Sequence, residues 1–66
     1  MKLKVDQEAD ALYLALDDSP IVDSDEVAPG VVVDMNDKNE VVGIEILHLS
    51  KRTPRLNLHE LQFETV

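Results

Sequence analysis

The chain has 66 residues, 44% of them hydrophobic, with fourteen acids, six bases and no cysteine. That length holds one small domain whose core is marginal without added burial, and the missing cysteines exclude a disulfide, a thiolate zinc site and a thiol nucleophile. A net charge of −8 repels phosphate backbones, which argues against nucleic-acid binding by a sheet made of these residues.

Leu3 and Val5 alternate with Lys2, Lys4 and Asp6, the pattern of a half-buried strand. Gln7 to Asp10 are polar or small and suit a turn. From Ala11 to Leu16 the alternation resumes, with Leu12, Leu14 and Leu16 on one face and Ala11, Tyr13 and Ala15 on the other. A helix competes here, because Ala and Leu are good helix formers and Leu12 and Leu16 are spaced i, i+4. Strict alternation beside a partner strand favours a first hairpin.

Residues 17–30 carry acids and no base, together with two prolines and a glycine. This is mostly loop, with Ile21, Val22 and Val27 available for a short edge strand whose acids would block sheet-to-sheet aggregation. Pro29-Gly30 is a turn signal. Residues 31–47 then form two β-branched runs around a polar loop, the pattern of an antiparallel hairpin. Val31, Val33 and Met35 share one face, Val32 and Asp34 the other. On the return strand Val42, Ile44 and Ile46 oppose Val41, Gly43, Glu45 and Leu47. Asn39 suits a left-handed loop position.

Both faces of this hairpin are apolar in part, so the C-terminal segment or another subunit is expected to cover the second one. Thr53-Pro54 marks a boundary. Beyond it Asn57 is placed to cap a helical turn over residues 58–61, with Glu60 at capping-box spacing. Leu58, Leu61 and Phe63 are available to dock that segment. The expected architecture is mainly β with minor α: a small antiparallel sheet of four or five short strands built from hairpins, and a short helical turn near the C-terminus. Residues 1–66 form a single domain, with a β core over 1–52 and an extension over 53–66 that packs on the sheet or on a partner subunit.

Candidate chemistry is sparse. Asp6-Gln7-Glu8-Ala9-Asp10 has the carboxylate spacing that opens a calcium-binding loop, but Ala11 and Asp17 stand where glycine and glutamate are needed. A solvated turn explains it better. His48 and His59 lack zinc spacing. Asp34 and Glu45 each interrupt an apolar strand on the same face, and two carboxyls facing one cleft could do acid–base work or ligate a divalent ion. A solvent-facing or hydrogen-bonded pair is the plainer reading. Gly43, a lone strand glycine, fits a bulge or close packing. Few aromatics leave no stacking platform for single-stranded nucleic acid. The residues therefore assign no catalytic, metal or cofactor site.

Residues 1–49 carry a net −9 and residues 50–66 a net +1, so a basic protein partner is electrostatically favoured. No apolar run reaches the roughly 20 residues of a membrane span. No secretory h-region opens the chain, so cytoplasmic localisation is expected. Three segments in order, Asp6 to Leu16 around Glu8-Ala9-Asp10-Ala11-Leu12-Tyr13, Val27 to Asp34, and Gly43-Ile44-Glu45-Ile46-Leu47, resemble the prokaryotic family called domain of unknown function 2283 over residues 1–52. The resemblance implies a compact antiparallel β-domain without established activity. Genes of such families often adjoin those of other small proteins, some toxin-like. Tyr13, Asp34, Gly43 and Glu45 match its pattern at positions of unknown role. Asn39 stands where the family typically has glycine.

Three functions are compatible with these features. The first is a non-enzymatic protein-interaction module, conceivably antitoxin-like in a two-gene pair, that self-associates as a dimer. The second is an enzyme using Asp34 and Glu45, which would require their carboxyls to sit about 5–9 Å apart. The third is a purely structural homo-oligomer.

Overall fold

A computed structural model describes residues 1–66. Five short strands, β1 (Lys2–Asp6), β2 (Ala11–Ala15), β3 (Asp23–Ala28), β4 (Val31–Met35) and β5 (Val41–Leu47), precede one short helix, α1 (Leu49–Arg52). The strands form a single sheet in the order β1-β2-β5-β4-β3, every pair antiparallel. The fold is mainly β, as the alternating segments predict. The valine-rich β5, which has the strongest β-propensity together with β4, lies at the centre, paired with β2 on one side and β4 on the other.

The turns follow local chemistry. Between β3 and β4, Pro29 precedes Gly30 at φ 73°, the residue order a type II turn requires. Between β4 and β5, Asn39 takes the left-handed conformation at φ 61°. Asn36 fixes this loop: its Oδ1 accepts the backbone N–H groups of Lys38 and Glu40, each at 3.0 Å, and its side-chain amide donates to Glu40 Oε1. Its own backbone N–H donates to the Glu40 carbonyl. With three partners inside the hairpin, the Asn36 amide can be buried without penalty.

Cross-strand neighbours share a face, so the register sorts the side chains. One face is aliphatic: Leu3 opposes Leu14, which opposes Ile44, which opposes Val33; Val5, Leu12, Ile46 and Val31 make the adjacent row. The other face is mixed, with Lys4, Tyr13, Glu45 and Val32 in one row and Ser24, Asp34 and Gly43 in the next. Strict alternation puts Val41 with Gly43 and Glu45, but a bulge shifts the register so that Val41 opposes Met35. Val42 is the extra residue; it is 3% exposed, and its carbonyl accepts the N–H groups of Leu16 and Asp17.

The helical turn lies at Leu49–Arg52, not over residues 58–61. At Asn57 a single turn forms, with His59 N–H donating to Oδ1 at 3.0 Å and Glu60 N–H to the Asn57 carbonyl at 3.4 Å; only Leu58 of the following residues is half-buried, too little to extend it into a helix. The α1 turn is held from outside. The backbone N–H and hydroxyl of Ser50 both donate to the Asp10 carboxylate, at 3.0 and 2.7 Å, while Leu49 N–H donates to the Asp10 carbonyl. Arg52 donates to the carbonyls of Leu47 and Pro29, at 2.9 and 2.6 Å, pinning the β3–β4 turn.

The expectation that the C-terminal extension covers an apolar face is met only at one end. Leu61 and Phe63 lie beside Met1, Leu3 and Leu14, yet they are 69% and 85% exposed. Of the larger apolar side chains only Val42 and Leu49 are fully buried. The radius of gyration of 12.8 Å exceeds the roughly 11 Å of a compact chain this long. The valine-rich ribbon is therefore flanked by strands but not sandwiched between layers. No helix is long and apolar enough to cross a membrane.

Candidate functional site: a carboxyl–phenol cluster over Gly43

The mixed face carries the only polar cluster built from several strands. β2 contributes Tyr13, β5 Gly43 and Glu45, β4 Asp34 and β3 Ser24. Tyr13 and Glu45 are directly opposed, as are Asp34 and Gly43, so the phenol reaches Asp34 along the diagonal over the glycine. A Cβ at Gly43 would stand 2.5 Å from Tyr13 Oη, 3.0 Å from its Cζ and 3.3 Å from Asp34 Oδ2. Close approach of a side chain explains this glycine, with the bulge one residue before it.

Asp34 is 2% exposed and accepts the Ser24 hydroxyl at 2.5 Å. Glu45 is the diagonal cross-strand neighbour of Asp34. Interaction with the Asp34 carboxyl, then burial, then the neighbouring negative charge raise the Glu45 pKa above the ordinary glutamate value. Glu45 therefore holds its proton to higher pH than a free glutamate. Burial, followed by the charges of Asp34 and Glu45, also raises the Tyr13 pKa, so the phenol stays protonated across the neutral range. Beside the cluster, a cleft of about 340 Å³ runs along Lys4, Asp6 and Tyr13 towards Glu45.

The structure thus brings together all four positions singled out in the sequence: Tyr13, Asp34, Gly43 and Glu45. What it assembles is a polar cluster turned in on itself. Asp34 is sealed from solvent, whereas a carboxyl doing acid–base work must reach its substrate. Sequence patterning misses Ser24, because it sits in an acid-rich segment that reads as solvent-exposed edge. Asp10 reads there as part of a solvated turn. Asp6 does serve that turn, accepting Ala9 N–H at 3.0 Å, but Asp10 turns away at φ 55° to hold Ser50. Those hydrogen bonds from the Ser50 side chain and backbone lower the Asp10 pKa. His48 stands at the start of α1 with φ 57°, and His59 lies in the tail turn.

No curated protein and no solved structure matches this chain. The family model described as "Protein of unknown function (DUF2283)" matches residues 2–50, which takes in all five strands and the polar cluster and stops inside α1. Three-quarters of the chain fits that one pattern from end to end, and the chain belongs to the DUF2283 family.

Proposed function

We propose that this chain is a small, acidic, non-enzymatic protein-interaction module of the cytoplasm that works through the aliphatic face of its sheet. The carrying observation is that face: a single-layer sheet with two facing rows of leucine, isoleucine and valine that no other element of the chain closes. Contiguous exposed apolar surface rimmed by charge is characteristic of contact sites. The polar cluster on the opposite face supports this reading, since its buried Asp34 is already held by the Ser24 hydroxyl.

In its finer form, the module is the antitoxin-like member of a two-gene pair. The net −9 over residues 1–49 would speed encounter with a basic partner protein. Co-expression with the adjacent gene product, followed by tagged purification, tests this. The expected result is a stoichiometric complex whose formation slows as salt rises, with relief of any growth defect the neighbour causes. Neither a complex nor relief would refute the finer form.

A further inference from the structure

We infer that the occupant of the aliphatic face is a second copy of this chain, so that two five-stranded sheets pack face to face as a homodimeric sandwich. This rests on the reading of that face as a contact surface and names its partner. Surface area carries the argument. A compact folded chain of 7.4 kDa exposes about 4,200 Å² by surface–mass scaling. This chain exposes 5407 Å², a surplus of about 1,200 Å² against that scale. Homodimer interfaces bury upwards of about 2,000 Å² in total, or about 1,000 Å² per copy. The surplus, which the extended tail shares, is of that order.

The chemistry of the face agrees. Its middle is formed by Leu12, Leu14, Val33, Ile44 and Ile46, with Phe63 beside Leu14 at one end and Asp25 opposite Val33 at the β3 margin. The surface that best complements a wide aliphatic sheet is another of the same width, and a two-fold axis supplies it from the chain itself. The alternative route to self-association, strand addition at an edge, is opposed at both edges. β1 presents Lys2 and Lys4; β3 presents Asp23, Asp25 and Glu26 and is broken by a bulge. Stacking faces rather than edges also closes the assembly at two copies.

Sedimentation equilibrium across a wide concentration range tests this, with thermal unfolding followed at the same concentrations. The expected mass is twice the 7.4 kDa of the chain, and Tm should rise with protein concentration, because dimerisation stabilises only folded chains. Ile44→Asp, which places a charge in the seam, should raise the dissociation constant more than about a hundredfold. Glu26→Gln, on the other face and with little change in net charge, should leave it nearly unchanged. The concentration dependence of Tm needs no variant, so a poorly folding Ile44→Asp chain does not spare the proposal. A monomer at every concentration that binds the apolar dye ANS would overturn the homodimer and leave the face to a foreign partner. A monomer that binds no dye would overturn the contact-surface reading as well. A mass that climbs without limit would overturn the closed dimer.

Discussion

At the scale of single residues, the decisive arrangement is Glu45 set diagonally beside the buried Asp34 on the adjacent strand. Glu45 has its pKa raised by interaction with Asp34, so the folded chain holds the Glu45 proton where the unfolded chain has released it. Stability contributed by the pair is therefore present below the ordinary glutamate pKa and is lost as pH climbs through the raised value. Glu45→Gln replaces the protonated carboxyl with a permanent amide donor. At neutral pH it should raise stability by about 1 kcal/mol, the net value of one hydrogen bond, which for a domain this size is roughly 4–8 °C in Tm. It should also flatten the decline in Tm on the alkaline side of the glutamate range; a Tm unchanged or lowered at pH 7 would refute the raised Glu45 pKa. Much of this cluster is legible in the sequence. Alternation alone puts Asp34 and Glu45 on one face, and the lone glycine in β5 signals that something comes close. What fills that space is a diagonal contact from β2, which depends on strand order, a long-range property that periodicity does not carry. Ser24 is illegible for another reason: its acid-rich segment reads as exposed edge, although its partner Asp34 lies just across the Pro29-Gly30 hairpin.

At the scale of elements, local propensity accounts for the strands and turns but not for the helix. The two hairpin runs and the left-handed Asn39 follow from β-branching and side-chain chemistry. Four residues, Leu49–Arg52, lie far below the length at which a helix is stable alone. The turn exists because Asp10, forty positions earlier, accepts two hydrogen bonds from Ser50, and because Arg52 grips the β3–β4 turn. Residues 58–61 have the better capping signal and form only a turn, since Asn57 supplies a cap but Leu58 alone is half-buried. The Asp10 pKa is lowered by Ser50, so the carboxylate holds α1 above the ordinary aspartate pKa and releases it as pH falls through the lowered value. Asp10→Ala should remove the acid-dependent shift of the Ser50 amide proton in NMR titration and raise its hydrogen-exchange rate several-fold. The amides of β5 should keep their protection. Equal loss of protection in β5 would mean that α1 is integral to the sheet rather than clasped onto its edge.

At the scale of the whole molecule, charge and apolar surface set opposite conditions for association. Each chain carries a formal −8, so two copies meeting face to face repel one another until salt screens them, over about 10 Å at 0.1 M and about 3 Å at 1 M. The middle of the aliphatic face carries no charge, and Asp23 and Asp25 at its β3 margin add to the repulsion. Self-association should therefore tighten as sodium chloride rises from about 0.05 to about 0.5 M, over which the screening length shortens by roughly threefold. A complex with a basic partner must behave in the reverse sense, because screening removes the attraction that brings opposite charges together. Following the dissociation constant of the pure chain against salt thus separates the two modes with no partner in the cell. A constant that rises with salt would show that paired opposite charges, and not the leucine and isoleucine rows, hold the copies together. In that case the lysines of β1 against the acids of β3 become the contact, and the sheets join edge to edge.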